Sequence, residues 1–143
     1  GELPVKQNKT KQRDRYFNYL VFEFANNTWL RQRIKNDIWL GLFEFPVIET
    51  SEETEVGFVL NHPELGELTS LRNTSVKRIS NFKIHLLSHQ RIHYRFIWFD
   101  LSEEIKLTDG LIKVNKEDIL NFAVPRLIEE CIIELSENDR FMR

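Results

Sequence analysis

From Arg15 to Phe24 apolar residues occupy both phases of a two-residue repeat, with Tyr16, Leu20, Phe22 and Phe24 on one and Phe17, Tyr19 and Val21 on the other. Successive side chains of a strand point to opposite faces, so this pattern predicts a strand covered on both sides. Asn26-Asn27 is a turn pair that tolerates positive φ, and Thr28 to Ile34 reads as the returning strand. Leu42 to Phe45 reads as a short strand stopped by Pro46, which cannot donate to a ladder and keeps the residue before it extended. Ser75 to Leu87 and Arg91 to Leu101 predict a long hairpin. Phe82, Ile84 and Leu86 fall on one phase, Tyr94, Phe96 and Trp98 on the matching phase, and Ser88-His89-Gln90 forms a polar tip.

Leu111 to Val114 predicts a further short strand, and Asn115 to Ile119 a capped helical turn. Pro125 opens a helix at its favoured first position, with Leu127, Cys131, Leu135, Ile128 and Ile132 forming one apolar stripe. Residues 51–70 are acidic and carry His62-Pro63, which predicts loop with a short helix. The sum is an α+β fold, a mixed sheet packed with helices. Residues 1–14, polar, basic and holding Pro4, read as a linker or arm, and residues 15–143 as one domain.

Composition sharpens this picture at three points. Eleven Phe and 3 Trp in 143 residues supply a real core for one domain. The single cysteine, Cys131, excludes an internal disulfide and any all-cysteine metal site, and its place on the helix stripe predicts burial. No apolar run approaches the ~18 residues of a membrane span and no signal-peptide pattern is present, so we expect an intracellular protein without a membrane partner.

Net charge is −2, which does not announce a nucleic-acid binder, but the charge is unevenly spread. Between Leu68 and Phe99 there is no acid, while Arg72, Lys77, Arg78, Lys83, Arg91 and Arg95 are all present. A basic segment in a near-neutral chain fits local phosphate contact, with Arg78, Lys83 and Arg91 the candidates. A solvated sheet edge accounts for the same charges.

The chain offers little catalytic chemistry. His85, His89 and His93 would stack on a helix, but here they fall on strand, turn and strand, so only His85 and His93 could meet across the hairpin. No carboxylate lies near them in sequence, and we expect no metal there. Arg126-Leu-Ile-Glu-Glu130 is explained by the helix stripe. Ser88-His89 lacks an orienting acid and is not a hydrolase dyad.

Trp39-Leu-Gly-Leu-Phe-Glu-Phe-Pro46, with Glu49 beyond it, resembles the W-E-F-P-G-G-x-x-E opening of a Nudix domain. A Nudix hydrolase next needs a helix carrying Arg-Glu-x-x-Glu-Glu to hold Mg²⁺. Ser51-Glu-Glu-Thr-Glu-Val-Gly57 follows instead, so the outline stands without its catalytic box. Four segments in order extend the likeness over nearly the whole chain: Leu3-Pro-Val-Lys6 with Arg13-Asp-Arg-Tyr16, Trp39 to Pro46, Leu86-Leu-Ser-His-Gln-Arg-Ile-His93, and Phe122-Ala-Val-Pro125. Together they resemble the C-terminal domain of MutY-type adenine DNA glycosylases.

That resemblance implies a Nudix (MutT-like) fold, non-catalytic in itself, which recognises 8-oxoguanine opposite adenine in double-stranded DNA for base excision repair. It implies a separate N-terminal glycosylase domain holding a 4Fe-4S cluster, no cofactor in this chain, and a bacterial cytoplasmic, nucleoid-associated setting. The family's Phe-Ser-His recognition loop matches Leu87, Ser88 and His89, with Leu in place of Phe as an apolar wedge. Oxidation at C8 turns guanine N7 into a donor, and a serine hydroxyl or neutral imidazole can accept from it. Two other readings stay open. One is a divergent Nudix-type pyrophosphohydrolase using Glu44, Glu49 and Glu52 or Glu53, and the other is a protein-interaction module.

Overall fold

The computed structural model describes residues 12–68, 74–104 and 110–141. A five-stranded mixed sheet forms its centre. Strand β1 (Arg13–Glu23) lies between β4 (Val47–Thr50), antiparallel to it, and β7 (Gln90–Leu101), parallel to it from Arg13↔Gln90 to Glu23↔Asp100. Strands β5 (Thr74–Ile79) and β6 (Lys83–Leu86) share the far edge of β7, both antiparallel. A smaller antiparallel sheet places β2 (Asn27–Gln32) between β3 (Phe43–Glu44) and β8 (Leu111–Asn115).

The expected strand from Ser75 to Leu87 is therefore two strands. The break has a local cause. The Ser80 N–H donates to the Phe96 carbonyl at 2.9 Å and the Ser80 hydroxyl accepts from the Phe96 N–H at 2.8 Å. One side chain replaces a main-chain acceptor, and the chain leaves the ladder before re-entering at Lys83.

Other boundaries shift for similar reasons. β1 starts at Arg13, inside the expected linker, while residues 1–11 of that linker lie outside the described residues. The turn after β1 returns as expected, with Ala25 at φ 53, but β2 then swings into the second sheet. The strand expected over Leu42 to Phe45 pairs only at Phe43 and Glu44. Pro46 is the crossing point between sheets, its carbonyl accepting from the Leu20 N–H at 2.8 Å.

Two short helices, α1 (Val56–Leu60) and α2 (Pro63–Leu68), stand where loop and one short helix were expected. Pro63 opens α2 at the position where its missing N–H costs nothing. A 3-10 turn (Lys116–Asn121) follows β8, its first N–H groups capped by Asn115, whose side chain accepts from the Glu117 N–H at 3.0 Å. Helix α3 (Arg126–Phe141) then follows Pro125.

The sheet has a core on each face, as the double-phase pattern of β1 predicts. Phe17, Tyr19, Ile92, Tyr94, Phe96 and Trp98 pack with Leu127, Ile128 and Cys131 of α3. On the other face Leu20, Phe22, Ile97 and Phe99 pack with Val59, Leu65 and Leu68 of α1 and α2. Each fully buried aromatic or aliphatic side chain here contributes about 1.5–3 kcal/mol. Cys131 is buried as expected, and desolvation pushes its thiol up to about 12.

Candidate nucleic-acid interface

The β6–β7 hairpin closes through a four-residue turn, with the Leu87 N–H donating to the Gln90 carbonyl at 2.8 Å. Ser88 and His89 are exposed at its tip. The tip is pinned to the start of β1. The Arg13 N–H donates to the His89 carbonyl at 3.1 Å, and the Gln12 amide to the Leu87 carbonyl at 3.4 Å. Leu87 differs from the expected wedge. Strand alternation leaves Leu86 66 % exposed and turns Leu87 inward, half-buried against the α3-side core. In this structure Leu87 anchors the tip.

The candidate phosphate contacts divide between two faces. Arg78 lies opposite Trp98 with its guanidinium 4.6 Å from the ring centroid, and Lys83 reaches Glu134 of α3 at 3.2 Å. Both are on the α3 face. Arg91 projects to the other face, 3.0 Å from Asp14. Trp98, opposite Arg78, is eight residues along β7 from Gln90, about 26 Å at the rise of a strand, and Tyr94, opposite Lys83, is four residues away, about 13 Å, so Arg91 is the one of the three next to the tip. Arg72 lies outside the described residues. Arg95 is buried, donating to the Asn18 side-chain oxygen at 2.9 Å and the Thr54 main-chain carbonyl at 2.8 Å, and adds nothing to the basic surface.

His85 and His93 do not meet. His85 pairs with Ile92 and His93 with Ile84, so they point to opposite faces. His93 stacks on Tyr16 with ring centroids 4.4 Å apart and lies 2.9 Å from Asp14. Among the described residues no cluster of three or more His, Cys, Asp or Glu is placed to hold a metal.

A second feature lies between the sheets. A cleft of about 920 Å³ is lined by Arg31, Arg33, Asp37, Glu44, Glu49, Glu64 and Glu67, among others. Glu44 and Glu49 of the expected carboxylate set line it, while Glu52 and Glu53 are exposed on the turn after β4. Glu64 and Glu67 went unnoticed in sequence. Their signal was there, since they sit three apart on α2 around the buried pair Leu65 and Leu68.

Asp37, Glu44 and Glu49 already have cationic partners. Arg15 donates to Glu49 at 2.9 and 2.8 Å and to Asp37 at 2.8 and 2.8 Å. Arg33 donates to Asp37 at 2.9 Å and to Glu44 at 2.8 Å. Hydrogen bonds from Arg15, against a smaller desolvation effect, hold the Asp37 carboxyl well below the usual range. Bonds to Glu49 and Asp37 push the Arg15 guanidinium up. Burial pushes Glu44 up, opposed by the charge of Arg33. For Glu44, 3 % exposed, the pairing is what a dry interior demands, while the Asp37 and Glu49 side chains keep 28 and 40 % exposure. The arginine pairing ties up the negative charge of Asp37, Glu44 and Glu49 that could gather a hard divalent cation, while Glu64 and Glu67 stay exposed at the cleft.

The family model for the Nudix domain matches residues 18–134. The chain belongs to the Nudix domain family. It is 26% identical over 140 residues to an adenine DNA glycosylase of Buchnera aphidicola subsp. Acyrthosiphon pisum (strain APS), an alignment covering 96% of this chain and 37% of that protein. The chain thus spans well under half the length of this relative. Among solved structures it is similar to the C-terminal domain of mouse MUTYH, determined in complex with human PCNA, at TM-score 0.63 and 20% identity, with 90% of each chain covered. It is also similar to a MutT protein from Methanosarcina mazei Go1, at TM-score 0.67 and 13% identity, covering 90% of this chain and 96% of that one. These likenesses bear out the expected Nudix, MutT-like α+β fold. Among the described residues no helix is long and apolar enough to cross a membrane.

Proposed function

We propose that this Nudix domain is the 8-oxoguanine-recognition part of a MutY-type adenine DNA glycosylase and is itself non-catalytic. The observation that carries the reading is the exposed Ser88-His89 pair on a tip whose backbone is tied to β1. Sequence similarity to an adenine DNA glycosylase supports it. A hairpin tip on a rigid sheet can enter a groove while its supporting strands stay packed. Extruding adenine for excision requires the opposite base to be held in the stack. Ser88 and His89 offer the acceptors that the N7–H of 8-oxoguanine needs, with Leu87 as the apolar residue behind them. Arg91 is the phosphate contact beside the tip. A duplex that also meets Arg78 and Lys83 has to wrap the β6 edge.

Excision belongs to the N-terminal glycosylase domain of the parent protein, acting in the bacterial cytoplasm at the nucleoid. The 4Fe-4S cluster expected of that protein does not fit this chain, whose one cysteine is buried. The test is the full-length protein's preference for A:8-oxoguanine over A:G duplexes. Replacing Ser88 and His89 by Ala removes about 1–3 kcal/mol of that discrimination on this reading. Unchanged preference with the fold intact would overturn it.

The cleft of Glu44, Glu49, Glu64 and Glu67 favours a second reading, a divergent nucleotide pyrophosphohydrolase. The arginine pairing of Glu44 and Glu49 weighs against it. Turnover of nucleoside triphosphates, the 8-oxo form of dGTP included, with Mg²⁺ or Mn²⁺ and its abolition by Glu49→Gln would establish that reading instead.

A further inference from the structure

We infer that Arg15 and Gln90 form a positioning clamp that sets the lesion-reading tip. Arg15 is only 5 % exposed, with its guanidinium 5.0 Å from the Phe17 ring centroid. An arginine has five N–H donors in a fixed planar fork. All five are used here. Four go to the carboxylates of Asp37 and Glu49, which already neutralise the charge. The fifth donates to the side-chain oxygen of Gln90 at 3.1 Å. That bond neutralises nothing. It ties the residue after His89 to a buried cation fixed from two other elements, the loop before β3 through Asp37 and strand β4 through Glu49.

The main chain repeats the same connection one residue away, where the Arg13 N–H meets the His89 carbonyl. The tip is therefore held on its Gln90 side by both the backbone and the side chains of β1. The loop on the other side of the clamp is itself sharply set, with Trp39 at φ 59 and Gly41 at φ 88. A non-glycine residue in the left-handed region persists only where its surroundings fix it. Arg33 does so, donating to the Ile38 carbonyl at 3.0 Å and to Asp37. Recognition groups misplaced by about 1 Å can lose about two orders of magnitude in rate, so a support this specific has a consequence for reading the base.

This inference rests on the proposed recognition function, and its test separates the two. In the full-length protein, Gln90→Met removes the fifth bond while leaving the Arg15–Asp37–Glu49 pairing whole, so the fold survives. The A:8-oxoguanine over A:G ratio of kcat/KM is expected to fall about tenfold, with the fold intact and Tm lowered by only a few degrees for the one N–H left unpaired. Arg15→Lys, which keeps the charge but not the fork, is expected to give a similar loss. Added to Ser88→Ala/His89→Ala, Gln90→Met is expected to cost nothing further, because a misplaced tip with no reading groups has nothing left to lose. If Ser88→Ala/His89→Ala loses preference but Gln90→Met keeps it, the clamp is structural and this inference falls while the tip reading stands. If the double variant itself keeps its preference, both fall.

Discussion

The cleft and the hairpin tip are opposite solutions to displaying polar groups on one Nudix sheet. In the cleft, Glu44 is 3 % exposed and bound to Arg33, and Asp37 and Glu49 are bound to Arg15. At the tip, Ser88 and His89 face solvent and only their backbone is restrained. In the cleft Asp37, Glu44 and Glu49 are satisfied by Arg15 and Arg33, whereas the tip's side chains are held in place by their backbone and left free. Groups that bind a ligand need free valences on a fixed frame. By that criterion Asp37, Glu44 and Glu49, paired with Arg15 and Arg33, serve the fold, and the exposed tip is the part free to bind.

The largest expected effect breaks the cleft. Arg33→Met leaves the Glu44 carboxylate buried without its cation, which costs about 3–5 kcal/mol of folding stability. Urea denaturation of the isolated domain measures it. Adding Glu44→Leu should recover much of the loss, because replacing a buried pair with apolar groups is often close to neutral. A loss under about 1 kcal/mol for Arg33→Met would mean the cleft is wetter and its carboxylates freer than the comparison requires.

The tip should behave in the reverse sense. Ser88→Ala/His89→Ala is expected to change stability by no more than about 0.5 kcal/mol, since both side chains are exposed. On the proposed function the same variant should nonetheless lose discrimination against A:G duplexes. A double variant that loses stability comparably to Arg33→Met would erase the distinction between the two regions.

Legibility in sequence follows the same division. The tip was readable because strand period and turn chemistry are local, and Ser88-His89 sits between two clear runs. The two-sided burial of β1 and the stripe of α3 were readable for that reason too. The Arg15 network was not. Arg15, Asp37, Glu49 and Gln90 are separated by up to 75 positions and meet only because β1 pairs with both β4 and β7. The split of β5 from β6 turns on a single hydroxyl, that of Ser80, standing in for a carbonyl. The facing of Arg78, Lys83 and Arg91 depends on strand phase after that split, so charge counting grouped residues that the sheet separates.

Acid titration separates two carboxylates within the cleft. Asp37, ordinarily near 3.8, is held lower in the fold, so its stabilising contribution is present above that value and lost as pH falls through its depressed folded pKa. Glu44, ordinarily near 4.5, is raised by burial. Its destabilising cost is present above the raised folded pKa and disappears as pH falls to its unfolded value. Relative to Glu44→Gln, the wild-type domain should gain stability as pH drops from 7 toward 4. Relative to Asp37→Asn, it should lose stability only below about pH 4. Denaturation midpoints of the three proteins across pH 3–7 give the answer. A wild type that loses against Glu44→Gln over that range would show that pairing with Arg33 outweighs burial.

The smallest effect concerns the basic residues that the sheet distributes over two faces. Removing one cation that pairs with a phosphate should lower the slope of log affinity against log salt by about 0.9. Arg91→Ala, beside the tip, should show close to this in the full-length protein, reduced to the extent that Asp14 already holds Arg91 at 3.0 Å. Lys83→Ala removes a pair with Glu134 whose side chains are 55 and 58 % exposed, so stability should shift by less than about 0.5 kcal/mol. Its salt slope decides how the duplex lies. No change for Lys83→Ala or Arg78→Ala confines the DNA to the tip and the Arg91 face. A change equal to that of Arg91→Ala requires the duplex to pass around the β6 edge, whose exposed Ile84 and Leu86 would then lie against it.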